Sequence, residues 1–435
     1  MRMRESQAGQ SAPAGEKPGP HDEKAGGSGE LLRTPRAAAW AGTMLGTESP
    51  EGVVVAHALE GRPHAPGPLV ARQAREDAEK LLLSPSATRA NGAGTRLKEE
   101  LPDALRTCFE RDRDRILHSS AFRRLAGKTQ VFVFPRDHQR TRLTHALEVA
   151  QVATAVARAT GLNVALTEAI ALGHDCGHGP GGHASEEAFS PYLRGGYNHA
   201  IWGADVVLAP LNLCAETLDG VRHHSWSLPN PVTPEGAVVS WADRCAYCAH
   251  DLEDAVSVGI VSPEELPAEV GEIAGRTRAS QLNCFISALV ECITSTGEIG
   301  MRQPFAGALA SLRAFNYERI YTRPTSVAQG RAVIAVLSAL VDYFGENPRR
   351  VPPDDPAARA GNQARALERP NGPEVPEVPE GPNGPNGPDE GASLRAAITY
   401  VSGMTDRFAF SAAVELLGWD PERLPRGIDA AGRLS

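Results

Sequence analysis

The stretch TRLTHALEVAQVATAVARATGLNVALTEAIALGHDCGHGPGGHASE, residues 141–186, decides how this chain folds. Apolar residues at 143, 146, 147, 150, 153, 156 and 157 form a 3.6-residue stripe, so residues 141–160 are predicted to be a helix. Gly161 supplies a C-terminal stop, and residues 162–175 repeat the helical pattern. So short a turn forces an antiparallel hairpin. His145 lies roughly 22 Å before the turn and His174 roughly 17 Å after it at 1.5 Å per residue, so the two imidazoles return to nearly the same level. Asp175 follows His174 directly.

One imidazole from the first helix and a His-Asp pair from the second make three ligands, and a divalent ion asks for a fourth. Residues 235–259 form a third long helical pattern, with Asp243, Tyr247, His250, Asp251 and Asp254 on one face and Val238, Val239, Ala242, Ala246 and Ala249 on the other. A carboxylate at the edge of such an apolar face is costly unless paired or metal-bound, which singles out Asp243. His145, His174, Asp175 and Asp243 form an N2O2 set that suits Mg²⁺, Mn²⁺, Fe²⁺ or Zn²⁺ with positions left open. Histidine usage agrees. Of 13 histidines, ten fall between His118 and His250 and none follows.

Gly177, Gly179 and Gly182 satisfy GxGxxG, but this run follows a helix and contains Pro180, whereas a dinucleotide loop must follow a strand. The glycines are better read as a tight turn bringing His178, His183 and Glu186 to the metal. His183 and Glu186 are three apart at the start of the next helix, where a carboxylate can orient an imidazole as general acid or base.

Aromatics are only 5% of the chain, so the core is built from Ala, Leu, Val and Ile, which suits packed helices; the fold class is all-α. The net charge of −9 gives no global signal for nucleic acid or membrane. The N-terminus has no apolar stretch after its charges, and the apolar run 332–344 is shorter than a bilayer span, so a soluble cytoplasmic protein is expected. Seven cysteines without framework spacing read as reduced thiols, and Cys245-x-x-Cys248 as two small residues one turn apart on a helix. Residues 1–66 are expected to be disordered, with a helical stretch from about 69 and the ordered catalytic domain over 95–345 (its core 140–255). Residues 346–392, with proline at every third position from Pro370 to Pro388, read as a polyproline-II-like insertion or linker. Helices over 393–425 then return to pack on the catalytic domain.

The arrangement His145, His174-Asp175, Asp243 is the signature of HD-domain phosphohydrolases. Within that superfamily RDRDRILHSSAFRRLAGKTQVF (111–132), RTRLTHALEVAQVA (140–153), HDCGHGPGGHASE (174–186), GGYNHA (195–200), WADRCAYCAHDLEDA (241–255) and YVSGMTDRFA (400–409) resemble the deoxyguanosine triphosphate triphosphohydrolase family. The resemblance implies an all-α HD fold that hydrolyses a deoxynucleoside triphosphate to deoxynucleoside and inorganic triphosphate, with Mg²⁺ or Mn²⁺ ahead of Fe²⁺ or Zn²⁺. It implies His183 as acid/base with Glu186 as its orienting partner, and His178 and His199 beside the phosphates. It also implies Arg142 on the phosphates, Tyr247 and Asp251 on the deoxyribose, and Gln130 with Asp251 on the 3′-hydroxyl.

The chain departs from the family pattern where Gly179-Pro180-Gly181 replaces Pro-Pro-Phe, and a missing aromatic there would open the pocket wall. Arg244, after the metal aspartate, would reach the α-phosphate. Residues 106–142 carry ten Lys/Arg against four Asp/Glu, either a salt-bridged helical face or a polyanion site for triphosphate, a regulatory dNTP or single-stranded DNA. The family also implies a homo-oligomer, commonly a hexamer. The alternatives are an HD phosphomonoesterase acting on nucleoside monophosphates or other small phosphate esters, and a non-catalytic nucleotide-sensing or DNA-binding HD protein.

Overall fold

In the computed structural model the central hairpin is formed by Arg142–Thr160 (α4) and Val164–Gly173 (α5). Gly161 closes α4 in the left-handed conformation at φ 68°, and the Asn163 side chain accepts the Leu166 N–H to open α5. Apart from isolated positions, the structure describes residues 46–57, 59–61, 67–135, 138–352 and 388–425.

The expected stripe on α4 is only partly right. Leu147 is 47% exposed, while Val149 and Val152 are fully buried. The helix has neighbours on more than one side. It packs against α5, against Pro234–Ser257 (α9), and against Arg278–Thr296 (α11). A periodicity argument that assumes one buried face misplaces residues on such a helix. Cys108–Leu117 (α2), Ala215–Arg222 (α8) and Phe305–Asn316 (α12) complete this first core. Cys245 and Cys248 are fully buried in it, and all seven cysteines are free thiols.

A second core joins His183–Phe189 (α6), Pro324–Glu346 (α13), Pro388–Ser402 (α14) and Asp406–Leu417 (α15). The C-terminal helices thus pack on α13, which in turn packs on α6. The apolar run 332–344 lies inside α13, whose 23 residues are long and apolar enough by composition to cross a bilayer, contrary to the expectation drawn from the shorter run. Its Val333, Val336, Leu337, Leu340, Val341 and Phe344 are instead buried against the neighbouring helices.

The packed unit begins at Val70, earlier than the expected boundary at 95. Arg72–Leu82 forms a further helix (α1), and Ala87 and Ala90 enter the first core. Buried Glu235 accepts from Thr88 N–H at 3.0 Å and from Asn163 N–H at 2.9 Å, tying this segment to the hairpin turn. Within the stretch expected to be disordered, Thr47–Glu48 (β1) and Val54–Val55 (β2) pair antiparallel. Most of 1–45, and 353–387 of the proline-rich insertion, lie outside the described residues.

The basic stretch takes the salt-bridged form. Arg106, Arg111, Arg113, Arg115, Arg140 and Arg142 each pair with a carboxylate, and Lys128 is buried.

Candidate active site

The hairpin brings His145 and His174 together as the axial rise requires, with ring centroids 5.4 Å apart. His174 Nδ1 lies 2.6 Å from the Ala171 carbonyl, so that nitrogen carries the proton. Nε2, buried and without a hydrogen-bond partner, then presents its lone pair. Asp243 reaches the same point from α9: its Oδ1 is 3.0 Å from His145 Nε2 and 3.7 Å from His174 Nε2. Asp175 Oδ1 is 3.4 Å from His174 Nε2, and Asp175 Oδ2 is 3.9 Å from His145 Nε2. Donors that each bind one ion at about 2.1 Å stand about 3.0–3.4 Å from one another; two of these distances lie in that range and two a few tenths of an ångström above it, so the set could close on a divalent ion with small side-chain shifts. The donor atoms of His145, His174 and Asp243 all lie within 4.8 Å of one another, and Asp175 groups in the same way with His174 and His224.

The electrostatics suit cation binding. Burial raises Asp175, yet the Arg142 guanidinium and the hydrogen bond with His178 hold its carboxyl well below the ordinary range. Burial likewise opposes the ionised Asp243, but His145 and His174 bring it down to about 2. Both carboxylates are therefore charged at neutral pH. Arg142, expected on the phosphates, is 2% exposed and donates from Nη1 to Asp175 Oδ2 at 2.6 Å. Here it orients the Asp175 carboxylate, while its buried Nε and Nη2 have no hydrogen-bond partner.

A second cluster adjoins the first. The ligand atoms of His178, His183, Glu186 and His199 all lie within 4.8 Å of one another. His178 and His199 stack with centroids 3.7 Å apart. Burial, reinforced by the Arg142 charge, keeps His178 well below the usual histidine range and hence neutral. His183 stands at the edge, 76% exposed, with Nδ1 3.6 Å from Glu186 Oε1. Glu186 makes its shorter contact with His199 Nδ1, so the carboxylate steadies two imidazoles where the sequence suggested one. Burial raises Glu186, but hydrogen bonds from His183 and His199 override it and hold the group below the normal carboxylate range.

The glycine run is a turn. Gly181 and Gly182 take φ of 71° and 64°, which side-chain-bearing residues rarely adopt. The run is packed tightly against its neighbours. A Cβ on Gly181 would come within 2.4 Å of Val333, and one on Gly179 within 2.8 Å of Phe189.

Along α9, Tyr247 accepts a hydrogen bond from Arg313 Nε at 2.9 Å. Asp251 Oδ2 accepts from the Tyr321 hydroxyl at 2.5 Å, while its buried Oδ1 has no partner. Burial raises Asp251 to about 7 despite that bond. Gln130 also has a buried, unpartnered Oε1. Arg244 places its guanidinium 3.3 Å over the Trp226 ring, a cation–π contact that fixes it against that wall.

Sequence reasoning missed His224. It is 2% exposed, its Nδ1 lies 2.8 Å from the Val221 carbonyl, and its Nε2 lies 3.1 Å from His199 Nε2. The crowding of histidines between 118 and 250 was the available signal. Arg313 and Tyr321 carried none.

The HD domain family model matches residues 142–248, the span holding all four candidate ligand residues. A deoxyguanosinetriphosphate triphosphohydrolase-like protein of Caldanaerobacter subterraneus subsp. tengcongensis is 41% identical over 288 residues, 65% of this chain and 85% of its own length. The chain belongs to the deoxyguanosinetriphosphate triphosphohydrolase-like family. Another member, from Clostridium tetani, is 35% identical over 65% of this chain and 85% of its own length. One from Paracoccus denitrificans is 31% identical over 78% of this chain and its whole length. Membership of this family makes the chain an HD-type phosphohydrolase, and the His/Asp centre is its candidate metal site.

Proposed function

We propose that the chain hydrolyses deoxynucleoside triphosphates, with dGTP as the first candidate, to deoxynucleoside and inorganic triphosphate. The observation that carries this reading is the pairing of two clusters at one end of the hairpin. One is a His/His/Asp/Asp donor set with charged carboxylates; the other is an exposed imidazole backed by Glu186 and His199.

A water oxygen bonds to the α-phosphorus, the bond from phosphorus to O5′ breaks, and O5′ takes up a proton. His145, His174, Asp175 and Asp243 would hold Mg²⁺ or Mn²⁺, with Fe²⁺ or Zn²⁺ as alternatives; when bound, such an ion polarises a phosphate oxygen and lowers the pKa of attacking water. His183 is exposed and positioned to exchange protons with substrate, and Glu186 stands beside it to orient the ring. His199 and neutral His178 line the phosphate side. Arg142 serves by fixing Asp175. Asp251, Tyr247 and Gln130 take the sugar. The unpartnered oxygens of Asp251 and Gln130 are free to bind a 3′-hydroxyl. Arg244 contributes positive charge from the Trp226 wall. The reading places the enzyme in the cytoplasm, consistent with seven free thiols, and as a homo-oligomer that a second dNTP activates.

Purified protein is incubated with each dNTP and Mg²⁺ or Mn²⁺, with and without a second dNTP, and the phosphate products are resolved. Inorganic triphosphate supports the reading. Single phosphate from a nucleoside monophosphate panel, with dNTPs untouched, would replace it with the phosphomonoesterase.

A further inference from the structure

The loop that carries His178 and leads to His183 is nearly bare of side chains. Gly179, Gly181 and Gly182 offer only backbone, and α6 opens at His183 without a side-chain cap. Glycines leave such a segment free to move unless something outside it intervenes. Ser185 Oγ accepts the Gly179 N–H and the Tyr197 hydroxyl donates to the Gly177 carbonyl; the remaining restraint comes from more distant parts of the chain.

Asp406, in the first turn of α15, is 3% exposed. Its Oδ1 accepts the Gly181 N–H at 2.8 Å. Its Oδ2 accepts the Thr129 N–H at 3.0 Å and the Thr129 hydroxyl. Buried Lys128 donates to the His178 carbonyl and, at 2.9 Å, to the carbonyl of Ser402 at the end of α14. Val333 of α13 fills the space beside Gly181. Three of these contacts reach the bare loop, at Gly181 N–H, the His178 carbonyl and the Gly181 Cα; the others tie the second core to the segment before α4.

We infer that Asp406 is a positioning residue for the reaction: it holds the 177–182 loop so that His178 and His183 keep their places beside the metal centre. The inference rests on the functional reading of that loop given above. Removing the carboxylate would orphan two main-chain donors in a buried place, and the loop would move to find other partners. The chemistry would suffer while the ligand set, anchored on α4, α5 and α9, stays intact.

The test compares the full-length wild type with D406A, D406N and T129V, the last removing one donor at nearly constant volume. D406A is expected to lower kcat on the order of 10²-fold, since small misplacements of reacting groups are that costly. KM should stay within about threefold, because uniform binding is untouched. D406N, keeping one acceptor oxygen, and T129V should fall between D406A and wild type. Bound metal per chain should not change. Hydrogen exchange by mass spectrometry should show faster exchange in peptides covering 177–183 of D406A, with α13 and α15 unchanged.

Wild-type kcat in both D406A and T129V overturns the inference. So does loss of kcat accompanied by loss of metal and faster exchange throughout α13–α15, which is the mark of a merely structural residue. If the wild type releases no triphosphate, the functional reading fails. The exchange measurement still judges Asp406, because it needs no turnover.

Discussion

Replacing Asp251 by Asn should stabilise the protein, and by an amount that depends on pH. Asp251 is 4% exposed, has one oxygen without a partner, and titrates at about 7 because burial disfavours its charge. The unfolded chain releases that proton near 3.8. Below 3.8 both states hold it and nothing is lost. Between 3.8 and 7 the unfolded state gains by ionising while the fold does not, so wild-type stability falls by about 1.4 kcal/mol per pH unit and then levels off. The total is about 4 kcal/mol. Asn mimics the protonated acid without titrating. The stability gain of D251N over wild type should therefore be about 1.6 kcal/mol at pH 5 and about 4 kcal/mol at pH 7.5. Urea unfolding of both proteins at the two pH values measures it. A difference that is flat with pH would refute the reasoning, since it would mean that Asp251 titrates like a solvated carboxylate. The gain in stability should come with weaker sugar binding, read as a raised KM.

Glu186→Gln should lower kcat by about 10²–10³-fold with bound metal unchanged, because it removes the charge that supports His183 and His199; metal analysis beside steady-state kinetics checks both halves. Adding Mn²⁺ to chelator-treated wild type at about 100 times its dissociation constant should stabilise the fold by about 2.7 kcal/mol in a thermal-shift series. Asp243→Asn should show little of that response. Gly182→Ala should depress kcat strongly, since its Cβ would lie 2.8 Å from Arg142 Nη2 and 2.9 Å from the Thr129 carbonyl at φ 64°; kinetics on folded, metal-loaded protein would show it.

The hairpin and the meeting of His145, His174 and Asp243 were legible in the sequence because the signals are local. Gly161 and Asn163 cap adjacent helices, and an axial rise of about 1.5 Å per residue then dictates that His145 meets His174. Asp243 followed from the cost of a carboxylate on an apolar helix. The second cluster was half legible. His183 and Glu186 stand one turn apart, but the partner that Glu186 contacts more closely, His199, arrives through a loop whose path no periodicity records. Asp406 was beyond reach: it meets Gly181 across 225 positions, with the proline-rich segment between them. The bond from Arg142 to Asp175 was missed for another reason. A residue type apt for phosphate is equally apt for a buried carboxylate, and only the depth of Asp175 distinguishes the two.

The central claim is that water attacks the α-phosphorus and O5′ leaves. Turnover of dGTP in oxygen-18 water by the metal-loaded protein tests it directly. One label in the inorganic triphosphate and none in the deoxyguanosine is the expected result, and Asp243→Asn should abolish both products. Label in the deoxyguanosine hydroxyl, or release of deoxyguanosine monophosphate with pyrophosphate, would contradict it.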